Sequence, residues 1–252
     1  MRRYDGILIC SDLDGTLVNT AGEISLENAR AVAAFQENGG MFTISTGRLP
    51  SHLRQFFSRV VPNVAVVSHN GACIYDFAAE AYRYRNPIRA DTMPLFSYLQ
   101  DTAREAISFV TMFTDTDKYS FSLTEAMDAL HSIRPYKIVL VMDQEPHAIS
   151  LQDTLRASAF QHTYCFSRSW PTGLEILDIT ATKGTAVLEL KQLLGCVQTT
   201  ICIGNYENDI SMLRCADIGY AVDNAPAHVK RWADRLCASC DADAIAQVIA
   251  AL

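Results

Sequence analysis

The chain has 252 residues, 49% of them apolar and 19% charged, which suits a packed globular protein and excludes long disorder. A net charge of −7 speaks against nucleic acid or an anionic membrane as partner, because both reward a basic surface. Eight scattered cysteines are too few for a disulfide scaffold, and no run approaches the roughly 20 apolar residues of a membrane helix.

Met1-Arg2-Arg3 before a short apolar run imitates a signal peptide, but Asp12 and Asp14 cut that run short, so a cytoplasmic protein is expected. Ile7-Leu8-Ile9-Cys10 reads as a first buried strand. Ser25 suits the N-cap of a helix with Leu26, Ala29, Val32, Ala33 and Phe35 on one face, ended by Gly39-Gly40. Met41 to Ser45 reads as a second strand. Pro50-Ser51 opens a helix with a Leu53, Phe56, Phe57 and Val60 stripe, and Val64 to Val67 reads as a third strand. Short apolar strands alternating with amphipathic helices predict a parallel sheet covered on both faces, a Rossmann-like doubly wound α/β core.

From about Tyr82 to about Asp178 the pattern changes to longer alternating strands, at 108–113, 137–142 and 174–177, as in a sheet with one wet face. This predicts an α+β domain over 82–178, inserted into a core formed by 1–81 and 179–252. The first pattern then resumes. Lys183-Gly184-Thr185 opens a helix carrying Val187, Leu190 and Leu194, Thr200 to Ile203 is a buried strand, and Ile218 to Val222 another. Helices are expected over 207–215, 226–233 and 243–252. Cys10, Cys202 and Cys215 lie in apolar runs and read as reduced core residues. Cys237-Ala-Ser-Cys240 has redox or zinc spacing with His228 upstream, but no second ligand pair follows it.

Chemistry concentrates where strands end. Asp12-Leu13-Asp14-Gly15-Thr16 follows the first strand, Thr46-Gly47-Arg48 the second, Asn70-Gly71 the third, and Gly204-Asn205-Tyr206-Glu207-Asn208-Asp209 a late one. Carboxyl ends of neighbouring parallel strands share one edge, so these loops converge on one acidic pocket. Two carboxylates two positions apart repel, and a divalent cation or a shared proton relieves them.

These strings, with Lys183, resemble the haloacid dehalogenase superfamily of phosphohydrolases, and within it the Cof-type branch (subfamily IIB), whose motifs read DxDGT, [ST]GR, a lone Lys and GDxxND. The resemblance covers essentially the whole chain. It implies a Mg²⁺-dependent phosphatase acting on a small phosphorylated metabolite, a sugar phosphate first, through an aspartyl-phosphate intermediate. By the same resemblance Asp12 is the nucleophile and Asp14 the general acid and base. Lys183 and the Thr46 hydroxyl, with Asn208 and the backbone N–H groups of Leu13 and Gly47, hold the phosphoryl oxygens. Mg²⁺ falls to Asp12, the Asp14 carbonyl, Asn205 and Asp209. Arg48 braces its loop, and Asn70 either supports the loops or touches ligand. The inserted domain would supply leaving-group contacts, with Tyr119, His131, Arg134, Lys137, Arg168 and Trp170 as aromatic and basic candidates.

One position departs from the pattern. The family has Asp where this chain has Asn205, which keeps a carbonyl oxygen but loses a charge that Mg²⁺ prefers. Either Asp209 compensates, or metal affinity is weaker, or the chain is a phospho-ligand-binding protein with weakened catalysis. A phosphomutase of the same fold is the other alternative. Nucleotide dehydrogenases and kinases are set aside for want of their glycine-rich signatures.

Overall fold

The computed structural model describes residues 2–252. The chain divides into two compact units, one running to Tyr84 and resuming at Lys183–Leu252, the other comprising Arg85–Thr182. The sequence pattern put the divisions at 82 and 178.

The first unit opens with β1 (Ile7–Ser11), α1 (Leu26–Glu37) and β2 (Met41–Ile44), followed by β3 (Val66–Ser68), β4 (Cys73–Asp76) and β5 (Ala81–Arg85). Ser25 caps α1, its side chain accepting a hydrogen bond from the Asn28 amide. The buried face of α1 is Asn28, Val32 and Phe35, whereas Leu26, expected on the stripe, is 56% exposed. Asn28 takes the inward place because its Oδ1 accepts the Ala246 amide near the chain's end. The segment expected as a helix from Pro50 is a 3₁₀ helix over Pro50–Phe56, with Pro50 and Leu53 buried three residues apart as that tighter period requires. Its aromatic side chains turn to other partners, Phe56 lying under the Arg48 guanidinium and Phe57 edge-on to Phe77. β3 touches the end of β2 through a parallel bridge between Ser45 and Val67, then turns into a three-stranded sheet in the order β3-β4-β5. The short apolar run gave no sign of these last two strands.

The second unit contains α2 (Met93–Thr102), β6 (Ile107–Phe113), β7 (Lys118–Phe121), α3 (Leu123–Ala129), β8 (Lys137–Met142), α4 (Glu145–Ala157), β9 (Tyr164–Trp170) and β10 (Gly173–Asp178). Its five strands form an antiparallel sheet in the order β7-β6-β8-β10-β9. One face packs Val110, Met112, Ile138, Leu140, Leu174 and Ile176 into a core with side chains of the helices. The polar positions of the opposite face, expected to be wet, are buried at Thr111, Lys137, Ser167 and Glu175. Charge can be buried there because Lys137 on β8 and Glu175 on β10 sit diagonally across the ladder and pair at 3.0 Å.

The chain then returns to the first unit with α5 (Lys183–Leu194), β11 (Thr199–Gly204), α6 (Ile210–Cys215), β12 (Ile218–Val222), α7 (Ala227–Lys230), β13 (Arg235–Cys237) and α8 (Ala244–Ala250). The sheet runs β13-β12-β11-β1-β2, every pairing parallel. From β1 the chain winds through α1 to β2 in one direction, and from β11 through α6 to β12 in the other. Right-handed crossovers therefore set α1 and α6 on opposite faces, where α1 packs on α8 and α5 on α6. The apolar strand residues, among them Leu8, Ile9, Phe42, Ile44, Ile201 and Ile203, are fully buried between these layers. Winding reverses between β1 and β11, and beyond the carboxyl ends of those two strands an open α/β sheet leaves a crevice. Among the described residues no helix is long and apolar enough to cross a membrane, and all eight cysteines are free thiols.

Candidate active site

Asp12 follows β1 directly and is held there by its amide, which donates to the Ile203 carbonyl of β11 at 2.8 Å. Leu13 turns into the core and is fully buried. Gly15 then takes a φ of +76°, and a Cβ there would lie 2.4 Å from the Asn205 Nδ2, so both the turn and the close approach need glycine. Lys183, the first residue of α5, is buried and places its ammonium 2.6 Å from Asp12 Oδ1 and 2.6 Å from Asp209 Oδ1. The other oxygen of Asp209 accepts the amides of Asn205 and Tyr206 at 2.8 and 3.0 Å. A Cβ on Gly204 would stand 2.5 Å from the Asp209 Cβ, so the glycine ending β11 lets that carboxylate fold back under its own loop.

The electrostatics follow from this geometry. Two buried carboxylates share one buried ammonium. Burial first, and repulsion from Asp209 second, push the Asp12 carboxyl up to about 7 against the pull of Lys183. Burial disfavours the Lys183 charge too, but Asp12 and Asp209 outweigh it and hold its pKa above the usual lysine value.

Asp14 lies apart from this cluster. Its carboxylate is 52% exposed and receives both arms of Arg48, Nε at 2.8 Å and Nη2 at 2.7 Å. The hydrogen bond to Asp14 is the main cause of a raised Arg48 pKa. Arg48 was expected to brace its loop; the group it holds is the second aspartate of the first motif. Thr46 is buried, its amide donating to Val67 and its hydroxyl accepting the Arg48 amide at 3.2 Å. Asn70 sits in left-handed backbone with φ of 55° and accepts on its Oδ1 a hydrogen bond from Asn208 Nδ2 at 3.1 Å. Asn208 and Asn70 thus tie two loops 138 positions apart.

Among the described residues no three His, Cys, Asp or Glu side chains are grouped to hold a metal ion. Lys183 lies between Asp12 and Asp209, and the Asp14 carboxylate is turned to Arg48. Of the four residues expected around a cation, Asp209 has both oxygens already engaged. One contributor escaped the sequence reading: Asn224, just after β12, donates to the Gly15 carbonyl at 2.9 Å and accepts the Cys240 amide. It occupies the same strand-end position as the other loops, and that position was the available signal.

Known proteins match this chain both in sequence and in architecture. A family model for haloacid dehalogenase-like hydrolases matches residues 9–249. Phosphatase YwpJ of Bacillus subtilis is 26% identical over 279 residues, covering 96% of this chain and 98% of that protein. A haloacid dehalogenase-like hydrolase from B. subtilis has a solved structure that superposes with a TM-score of 0.82 at 23% identity, over 97% of this chain and 99% of the other. A subclass IIB sugar phosphatase superposes with a TM-score of 0.79 at 21% identity, over 97% and 98%. With the match spanning nearly all its length, the chain belongs to the haloacid dehalogenase-like hydrolase family and is a hydrolase of the Cof type.

Proposed function

We propose that the chain hydrolyses a small phosphate monoester, a sugar phosphate first, with Asp12 as nucleophile. The observation that carries this reading is the buried ammonium of Lys183 at 2.6 Å from both Asp12 and Asp209, at the point where the sheet reverses its winding. Uncatalysed phosphate monoesters are among the slowest bonds in biology to hydrolyse, so several effects must combine. Asp12 attacks phosphorus and becomes an aspartyl-phosphate, a covalent step that divides one hard displacement into two easier ones. Lys183 neutralises charge on the phosphoryl oxygens from a site where burial keeps its own charge undiluted by water. The Thr46 hydroxyl, the Asn208 amide and the N–H groups of Leu13 and Gly47 orient the same oxygens. Asp14 protonates the leaving oxygen and then takes a proton from the attacking water, for which it must leave its pairing with Arg48.

The donor set suits a hard divalent cation: the Asp12 carboxylate, the Asp14 main-chain carbonyl and the Asn205 side-chain oxygen are all oxygen ligands, and the cluster around Asp12 carries more negative than positive charge. Mg²⁺ bound there would offset the repulsion between the Asp12 carboxylate and the incoming phosphate. Asp209, whose oxygens serve Lys183 and the Asn205 loop, is assigned to positioning those groups. The 85–182 unit is assigned to leaving-group recognition. There Lys137 is committed to Glu175, Arg168 to Glu145 and the Pro171 carbonyl, while Tyr119 and Trp170 are exposed.

The test is release of inorganic phosphate from p-nitrophenyl phosphate and from a panel of sugar phosphates, with Mg²⁺ present and absent. Mg²⁺-dependent turnover that disappears in Asp12→Asn is the expected result. Turnover only with an added bisphosphate would instead identify a phosphomutase, and binding of phosphorylated ligands without turnover would favour the weakened enzyme that Asn205 suggests.

A further inference from the structure

The 85–182 unit has a cavity of about 370 Å³ that none of the reactions above uses. One wall is Ile88-Arg89-Ala90-Asp91-Thr92, just past the point where the chain enters this unit, and the other is Leu130 to Pro135, following α3. The walls are pinned to each other and to the sheet. The Ile88 amide donates to the Pro135 carbonyl at 2.9 Å, and the Tyr164 hydroxyl to the Asp91 carbonyl at 3.0 Å.

Three basic side chains line this space: Arg89, His131 and Arg134. Arg89 is held in place from behind, its Nε and Nη2 donating to Asp178 at 3.1 and 2.9 Å and its Nη2 also to Thr180 at 3.0 Å. Among the described residues neither His131 nor Arg134 pairs with a carboxylate. The lining includes one acid, Asp91, whose Oδ1 accepts the Met93 amide at 3.0 Å. In a chain of net charge −7, this hollow gathers two guanidinium groups and an imidazole against one lining acid, with Asp178 balancing Arg89 from outside the lining. Guanidinium forks bind oxyanions through paired N–H donors, and a guanidinium already fixed in place loses little freedom on doing so.

From these features we infer that the cavity binds a small doubly charged oxyanion of the phosphate class, at a site made only of residues from the 85–182 unit. Arg134 and Arg89 supply the guanidinium donors and His131 a ring N–H. Because Arg89 also holds Asp178 and Thr180, next to the chain's return at Lys183, an anion in the cavity would bear on both segments through which this unit joins the first.

The experiment is a titration of the ¹⁵N-labelled full chain with inorganic phosphate, without divalent metal, followed by amide chemical shifts. Saturating shifts at Ala90, Thr92, Ser132 and Arg134 are expected, with a Kd weakened at least tenfold in Arg134→Glu and by a smaller factor in His131→Gln. Both positions are exposed, so folded variants are expected, and their spectra report this directly. The same pattern is expected in Asp12→Asn, whatever reacts at that residue. Shifts confined to the surroundings of Asp12, or an Arg134→Glu variant binding phosphate as tightly as the parent chain, would overturn the assignment.

Discussion

Each unit buries a lysine against carboxylates. In the 85–182 unit Lys137 meets Glu175 at 3.0 Å, one cation to one anion, with the Phe113 ring 4.4 Å from the ammonium. In the first unit Lys183 meets Asp12 and Asp209 at 2.6 Å each, one cation to two anions. In the balanced pair one charge of each sign stands in contact, and their attraction offsets part of the cost of removing both from water. The unbalanced cluster retains a negative charge in a dry place, which pushes the Asp12 carboxyl up to about 7 and leaves a demand for a further cation or a proton. Balance serves the architecture of a sheet; imbalance, held in place by Asp209 and its two backbone donors, suits the nucleophile and cation proposed at Asp12.

That contrast breaks most visibly at the shared lysine. Lys183→Met is expected to lower kcat for p-nitrophenyl phosphate by about 10³-fold, as loss of one preorganised charge at a reacting centre does. Activity within tenfold of the parent would show that the cluster is not where reaction occurs. In the 85–182 pair, Glu175→Gln removes the carboxylate charge from beside a buried ammonium and is expected to cost about 3–5 kcal/mol in urea unfolding, while Lys137→Met with Glu175→Leu is expected to recover nearly all of it. If the double variant is as unstable as the single, Lys137 has a role beyond pairing.

A subtler probe adds a charge to the unbalanced side. Asn205→Asp is expected to lower the Mg²⁺ concentration for half-maximal activity by about tenfold, since Mg²⁺ favours charged oxygen ligands. An unchanged or weaker metal dependence would remove Asn205 from contact with the ion. The smallest effect is expected at Asp178. Burial alone would raise that carboxyl, but hydrogen bonds from Arg89 and Thr180 outweigh it and hold it at about 2. A carboxyl depressed by folding stabilises fully above its unfolded value of about 3.8, and that contribution is lost as the pH falls through about 2. Asp178→Asn should therefore lower Tm by a few degrees at neutral pH and flatten its decline between pH 4 and pH 2. Parallel pH profiles for the two proteins would assign the pairing no net stabilisation.

Much of the first unit was legible in the chain because its signals are local. Ile7 to Cys10 is apolar without interruption, Ser25 is a cap that accepts the amide three residues on, and Gly15 sits where the backbone must turn left-handed. Elements failed where a neighbour distant in sequence overrode the local period. Leu26 lost its inward place to Asn28 because an amide at position 246 needed an acceptor. Lys137 and Glu175 read as wet-face residues because the partner that lets each be buried lies 38 positions away. β7 and the β4–β5 extension carry too few apolar positions to announce themselves.

For the candidate site, the sequence by itself determined which residue types stand at the strand ends, and in what order, since polar residues after buried apolar runs are visible to anyone reading along the chain. Tertiary structure alone decided that Asp14 faces Arg48 rather than Asp12, that both oxygens of Asp209 are engaged, and that Asn224 closes on the Gly15 turn. Lys183 and Asp12 are 171 positions apart, and their meeting depends on how two strands and a helix pack in space. Pairing of charges is a through-space quantity that falls off over a few ångströms, so no period or propensity along the chain encodes it.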